Sequence, residues 1–272
     1  MAESNFDPKF NFKFLQHKSL IPVGIDDTDY KRLAAVYGVT YEDILSYVKE
    51  FDESNAKYVK KLKDTVDVSF FDGKKLRIAF LGDSITADRQ SYMNIIKKLF
   101  EGNEDIVIGD FAISGLKSVD LFTAFHPDIK AFNADVAHIM IGTNDFRRYN
   151  DERKVFHALP EEYEKNIDYI IGEFVKAETK VVISTIPPFS AKKLDGKLVD
   201  FKILYQEEDR QLYNGIIDKV AAKYGVTVNH MDQYYAEYTP EEFTEPEGLH
   251  LGPLGHELMS REVLKSIIKV LS

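Results

Sequence analysis

Residues 78–86 read Ile-Ala-Phe-Leu-Gly-Asp-Ser-Ile-Thr, and this stretch decides how the chain folds. Four consecutive apolar residues predict a buried strand, and the glycine that follows them ends it. Ser84 then stands in the turn before a helix, with its hydroxyl at the edge of the sheet and its N–H directed at the space in front of it. Taken alone, the stretch has a simpler interpretation, because aspartate and serine also cap helices that follow strands.

The same alternation of strand and helix continues along the chain. Further apolar runs occupy residues 106–113, 136–141, 180–185 and 226–228, and amphipathic helices are predicted between and after them at 92–100, 161–175, 207–224 and 255–271. Such alternation predicts right-handed crossovers and an α/β fold with a parallel sheet covered on both faces. Ligands bind at the carboxyl ends of the strands in these sheets, so a functional residue should directly follow a strand.

Two more loops meet this condition. Gly115 follows the run 106–113, and Asn144 lies in Gly142-Thr143-Asn144-Asp145 after the run 136–141. The N–H groups of Ser84 and Gly115 and the side-chain amide of Asn144 would together form an oxyanion hole. Each of these residues is an ordinary loop residue when taken singly, so only their combination in one order indicates a site.

A base for the serine is found close to the C-terminus. Glu247-Gly248-Leu249-His250 places a carboxylate three residues before an imidazole, just ahead of the last predicted helix. A hydroxyl is a poor nucleophile until a base takes its proton, and an acidic group fixes the tautomer of that base. The alternative of a phosphate-binding loop is disfavoured, because neither G-x-G-x-x-G nor a Walker lysine is present.

Together these segments resemble the four sequence blocks of the SGNH hydrolase superfamily, the GDSL-like lipases and esterases. The blocks here are Gly82-Asp83-Ser84-Ile85, Gly115, Gly142-Thr143-Asn144-Asp145 and Glu247-Gly248-Leu249-His250, and the resemblance covers residues 76–272. It implies a three-layer α/β/α flavodoxin-like fold without a metal or an organic cofactor. It further implies Ser84 as nucleophile, His250 as base, and Ser84, Gly115 and Asn144 as oxyanion donors.

One position departs from the family pattern. The family usually has aspartate where this chain has Glu247, whose side chain is one methylene longer. The third member of the triad must therefore be seated differently, or it contributes less.

The resemblance implies a small-molecule ester as substrate. We expect short-acyl or acetyl esters of a carbohydrate or small alcohol, since no long apolar lid is visible. Three alternatives stay open: a lysophospholipase or thioesterase, a ligand-binding protein that has lost turnover, and an interaction module built on the first quarter of the chain. The aromatic residues Tyr234, Tyr235, Tyr238 and Phe243 are expected to pack in the core rather than to line the cleft.

Residues 1–75 are expected to form a helical extension to a hydrolase domain over 76–272. Thr40 and Asp43 have the spacing of a capping box, and Gly38 can end the helix before it. The Asp72-Gly73 dipeptide predicts a hairpin between residues 66–71 and 76–81.

Composition excludes several classes of function. The 272 residues carry a formal charge of −10, which disfavours nucleic acid as a partner. With no cysteine, the chain has neither disulfides nor thiolate metal sites. Because neither a signal peptide nor a membrane span is evident, we expect a cytoplasmic protein, and association into a homo-oligomer is left open.

Overall fold

A five-stranded parallel sheet forms the centre of the structure, a computed structural model that describes residues 7–14, 28–124, 126–194 and 202–272. The strands, in chain order, are β1 (Leu76–Gly82), β2 (Ile106–Ala112), β3 (Val136–Met140), β4 (Arg148–Tyr149), β5 (Lys180–Ser184), β6 (Ile203–Leu204) and β7 (Thr227–Asn229). The sheet has the order β2-β1-β3-β5-β7, and β4 and β6 form a separate antiparallel pair.

The helices connect and cover these strands. In chain order they are α1 (Pro8–Phe14), α2 (Tyr30–Tyr37), α3 (Tyr41–Thr65), α4 (Ser84–Ala87), α5 (Tyr92–Leu99), α6 (Ser118–Ala124), α7 (His126–Phe132), α8 (Pro160–Lys176), α9 (Ala191–Leu194), α10 (Glu207–Tyr224), α11 (Met231–Tyr234), α12 (Pro240–Phe243) and α13 (Pro253–Leu271). Within the described ranges, no helix is long and apolar enough to cross a membrane.

Both faces of the sheet are buried, which explains the uninterrupted apolar strands. Ala79 and Leu81 of β1 face one core, and Ile78 and Phe80 face the other, because successive strand residues point to opposite faces. Helices α8 and α10 cover the first face, and α5 and α13 cover the second. The fold is therefore the three-layer α/β/α sandwich that the sequence predicted.

The order of the strands brings three functional loops together. β1 lies between β2 and β3, and it pairs in parallel with both. The chain therefore passes from β1 to β2 on one side of it and then crosses to β3 on the other side. This change of direction opens a crevice at the carboxyl ends of these strands. The loops carrying Ser84, Gly115 and Asn144 all follow strands at this edge.

The first part of the chain is helical, as expected. Asp29 caps α2, Gly38 ends it with a φ of 66°, and Thr40 and Asp43 form the predicted capping box of α3. A separate apolar cluster joins α1, α2 and α3; its buried members are Phe12, Leu33, Ala34, Tyr37, Ile44 and Phe51. Near the C-terminal end of α3, Leu62 packs in the same core as the residues of β1, α5 and α13. The predicted boundary between an extension and a hydrolase domain at residue 75 therefore stays a prediction.

The predicted hairpin before β1 is wrong. Val68–Phe71 forms a 3₁₀ helix, and the side chain of Asp67 caps it by accepting a hydrogen bond from the N–H of Ser69. Asp72 and Gly73 do form a turn, with a φ of 70° at Gly73, but it connects this helix to β1. Since both edges of β1 are already paired with β2 and β3, no edge is free for an antiparallel partner.

Candidate active site

The tight turn after β1 presents Ser84 at the carboxyl edge of the sheet. Gly82 has no room for a side chain, because a Cβ there would lie 2.5 Å from the carbonyl oxygen of Met140. Asp83 caps α4 by accepting a hydrogen bond from the N–H of Ile85 at 3.0 Å, so the hydroxyl of Ser84 is not needed for capping. As the first residue of α4, Ser84 also has an N–H without an intrahelical acceptor.

His250 lies within proton-transfer distance of this serine. Its Nε2 is 2.8 Å from Ser84 Oγ, although 166 residues separate the two in the chain. A general base must lie within about 2.6–3.2 Å of the group whose proton it takes. The geometry of the pair meets this requirement.

Glu247 occupies the other side of the imidazole. Its Oε1 is 2.7 Å from His250 Nδ1 and also accepts a hydrogen bond from the backbone N–H of His250 at 2.6 Å. The extra methylene is accommodated because the side chain folds back onto its own turn. Burial raises the pKa of Glu247, but the hydrogen bond and charge of His250 outweigh it, and the pKa ends below its usual value. An ionised Glu247 favours the tautomer with Nδ1 protonated, which leaves the Nε2 lone pair for Ser84.

Neighbouring segments hold the turn that carries His250. The N–H of Glu245 donates to the carbonyl of His250 at 2.8 Å, and Lys193 Nζ donates to the carbonyls of Glu241 and Thr244 at 2.7 and 2.8 Å. Gly248 has a φ of 92°, and a Cβ there would lie 2.7 Å from the carbonyl oxygen of Ser190. The close contact with the 190–194 segment therefore requires glycine in the middle of the Glu-x-x-His motif.

The three candidate oxyanion donors lie on adjacent loops. Gly115 has a φ of 81°, and the space on its Cβ side is open. One amide N–H of Asn144 donates to the carbonyl of Leu116 at 2.9 Å, which orients the amide and leaves its second hydrogen for a ligand. The structure places Ser84, Gly115 and Asn144 on the loops that follow three adjacent strands, and their role as oxyanion donors stays a prediction.

Asp145 connects two of these loops, a role that its position in the sequence does not predict. Its carboxyl accepts hydrogen bonds from the N–H of Ser118 at 3.0 Å and from the Ser118 hydroxyl at 2.6 Å. Burial raises the pKa of Asp145 to about 7. The position of Asp145 fixes the Asn144 loop against the loop that contains Gly115.

The aromatic residues beside the imidazole are not those that precede it in the sequence. Tyr235 and Phe243 are buried and stack on each other at 4.3 Å, so they pack in the core as expected. The neighbours of His250 are Phe14, with ring centroids 4.2 Å apart, and Phe10 at 6.0 Å. Sequence reasoning missed both; the phenylalanine-rich Pro8–Phe14 segment indicates a packed helix but not its location.

Two other histidines are structural. His138 in β3 bonds through its two nitrogens to Tyr92 and Ser184, and burial lowers its pKa to about 3. His256 Nε2 is 3.0 Å from the carboxylate of Asp88, and its Nδ1 accepts from the N–H of Tyr92. His17 lies outside the described residues.

A serine, an imidazole and a carboxylate thus lie in hydrogen-bonding order at the carboxyl edge of a doubly covered parallel sheet. A model of the GDSL-like lipase/acylhydrolase family matches residues 80–258, and the chain belongs to this family. It is therefore an ester-cleaving hydrolase, and its SGNH character agrees with the resemblance drawn from the four blocks.

Solved structures share the fold at low sequence identity. An acetyl xylan esterase is 21% identical with a TM-score of 0.58, and the match covers 71% of this chain and 100% of that one. A lipase/acylhydrolase from Enterococcus faecalis is 19% identical, with a TM-score of 0.58 and coverages of 71% and 96%. An acetylxylan esterase from Geobacillus stearothermophilus is 20% identical, with a TM-score of 0.56 and coverages of 72% and 95%. A comparison with curated proteins found no match.

Asn144→Ala tests the proposed third oxyanion donor. We expect kcat for a short ester to fall by about 10²- to 10³-fold with little change in KM, because the amide acts on charge that develops in the transition state. Steady-state kinetics on p-nitrophenyl acetate measure the effect, and Asn103→Ala, at an exposed site before β2, is the control. A rate within about twofold of the parent would remove Asn144 from the oxyanion hole.

Proposed function

We propose that this hydrolase cleaves short-acyl carboxylic esters through an acyl-enzyme, with Ser84 as nucleophile, His250 as general base and Glu247 as the acid of the triad. The observation that carries the proposal is the continuous hydrogen-bonded chain, 2.7 Å from Glu247 to His250 and 2.8 Å from His250 to Ser84. A serine hydroxyl becomes nucleophilic when a base that is itself oriented by a third group takes its proton.

Acylation begins when the Ser84 oxygen attacks the ester carbonyl and its proton passes to His250 Nε2. The carbonyl oxygen becomes an oxyanion, which accepts hydrogen bonds from the N–H groups of Ser84 and Gly115 and from the Asn144 amide. Collapse of the tetrahedral intermediate breaks the bond to the alcohol, and His250 returns the proton to that leaving group. Glu247 stabilises the imidazolium that exists between the two proton transfers.

Deacylation repeats the sequence with water in place of Ser84. His250 takes a proton from water, and the resulting hydroxide attacks the acyl carbonyl held in the same oxyanion hole. Collapse then releases the carboxylic acid, and Ser84 recovers its proton from His250. The cycle consumes one ester and one water, and it yields one acid and one alcohol.

The preferred acyl group is short, and acetyl on a carbohydrate or small alcohol is the substrate class we favour. The side chain of Ser84 is buried and only 16% of the His250 side chain is exposed, so the space around the reacting atoms is restricted. Phe14 and Phe10 further limit it on the imidazole side. Two fold neighbours are described as acetyl xylan and acetylxylan esterases, which supports the same class.

Labelling with a fluorophosphonate probe tests the nucleophile, and an ester panel tests the substrate class. We expect stoichiometric phosphonylation of Ser84, located by peptide mass spectrometry, because only an activated serine reacts with this electrophile. Across p-nitrophenyl esters from acetate to dodecanoate and acetylated xylo-oligosaccharides, kcat/KM should be highest for acetyl. Absence of labelling would favour a binding protein, and a maximum at long chains would favour a lipid ester substrate.

A further inference from the structure

Helix α1, which belongs to the helical extension predicted for residues 1–75, packs against the candidate active site. Phe10 and Phe14 are four residues apart and share one face of the helix, with ring centroids 4.6 Å apart. Both rings lie beside His250, Phe10 at a steep angle of 77° and Phe14 tilted by 36°, and Phe14 is 3% exposed. Phe12 points the other way and packs against Tyr37 and Phe51.

A buried lysine fixes α1 to the loops around the site. The side chain of Lys13 forms ion pairs with Asp88, at 3.4 Å, and with Glu245 in the turn that carries His250. Asp88 is fully buried and also bonds to His256. Burial lowers the pKa of Lys13, but the two carboxylates outweigh this and raise it, so the ammonium stays charged. A buried ammonium is costly without such partners, which ties α1 to this position.

The last carbonyls of α1 are bonded to the loops after β1 and β2. Arg89 donates its N–H to the carbonyl of Lys13 at 3.2 Å and its Nε–H to that of Phe12 at 2.9 Å. The hydroxyl of Ser114, next to Gly115, donates to the carbonyl of Phe14. Carbonyls at a helix end need partners outside the helix, and here residues beside the site provide them.

We propose that Phe14 is a positioning residue of the hydrolase, holding the face of the His250 imidazole so that the ring bonds Ser84 and Glu247 at once, with Lys13 as its anchor. The imidazole must keep both hydrogen bonds through two proton transfers in each half-reaction. Packing on one ring face restricts rotation out of this plane, and a displacement of about 1 Å at a reacting group can cost on the order of 10²-fold in rate. This inference rests on the proposed function.

Phe14→Ala and Phe14→Leu test the role of the ring. We expect kcat for p-nitrophenyl acetate to fall about 10- to 100-fold in the alanine variant with KM little changed, and leucine, which keeps apolar contact, to restore part of it. The control is Phe100→Ala, which removes a buried ring at the opposite, amino edge of the sheet. It should lower the melting temperature but leave kcat unchanged. Equal effects on kcat in Phe14→Ala and Phe100→Ala would overturn the proposal.

Lys13→Met tests whether Lys13 anchors α1, and Lys9→Met on the same helix is the matched control. Lys9 pairs with Glu50 at the surface, so its loss should leave kcat unchanged. Loss of Lys13 leaves Asp88 and Glu245 without their cation, and kcat should fall in the same direction as in Phe14→Ala. A Lys13→Met enzyme with parental kcat would show that α1 stays in place without it, and would remove Lys13 from the proposal.

A measurement independent of turnover separates this inference from the proposed function. The Phe14 ring, tilted by 36° with its centroid 4.2 Å from that of His250, shifts the His250 ring protons upfield, so Phe14→Ala should move their NMR signals downfield. Unchanged His250 signals would overturn the positioning role even in an active enzyme. The opposite result is also informative. If the Phe14→Ala substitution shifts the His250 signals but the parent protein neither reacts with fluorophosphonate nor cleaves esters, the proposed function is overturned and the contact is established.

Discussion

Ser84→Ala is expected to abolish ester hydrolysis, with kcat falling about 10⁴-fold or more. The substitution removes the one atom that forms the acyl-enzyme, whereas Asp83 still caps α4 and Cβ still fills its place. The melting temperature should therefore stay close to that of the parent. Progress curves with p-nitrophenyl acetate and a thermal melt measure the two quantities on the same preparation.

A second serine supplies the matched control. Ser91 is the N-cap of the next helix, α5, and its side chain accepts a hydrogen bond from the N–H of Asn94. Ser91→Ala should lower the free energy of unfolding by about 1 kcal/mol through the lost cap and leave kcat unchanged. If Ser84→Ala instead keeps parental turnover, the acyl-enzyme mechanism is wrong at its first step.

Glu247→Gln is expected to lower kcat by roughly 10³- to 10⁴-fold. Glutamine has nearly the same shape but no charge, so it cannot stabilise the imidazolium, and its NH₂ group can stabilise the wrong tautomer of His250. Glu247→Asp should keep part of the activity because it retains the charge. Some activity should be lost because the shorter side chain cannot bring its carboxylate as close to His250 Nδ1 as the 2.7 Å of the parent.

Glu242, an exposed residue in the capping box of α12, provides a control for the loss of one negative charge without loss of the contact to His250. Glu242→Gln removes one negative charge close in sequence to Glu247 but leaves the imidazole untouched, so kcat should match the parent. The distinguishing result is the Glu247→Gln rate. A rate within about threefold of the parent would mean that the Ser84–His250 pair works without a carboxylate, and Glu247 would keep only its role in shaping the turn.

The location of three of the five candidate site residues could be predicted because they follow strands. Ser84, Gly115 and Asn144 come after three apolar runs, and right-handed crossovers place the ends of parallel strands at one edge of the sheet. The hairpin prediction failed for a related reason. An Asp-Gly turn beside two apolar runs is a local signal, whereas the pairing of β1 depends on strands that are distant in the sequence. Both of its edges are occupied by β2 and β3.

Periodicity and turn residues act over short stretches of chain, so the sequence was enough to predict the α/β architecture, the alternation of strands and helices, and the four family blocks. The way in which Glu247 reaches His250, and the aromatic ring that covers the imidazole, are visible only in the folded chain. Phe14 and His250 are far apart in the chain, and their contact lies beside a buried ion pair, Lys13 with Asp88 and Glu245, that no local pattern encodes.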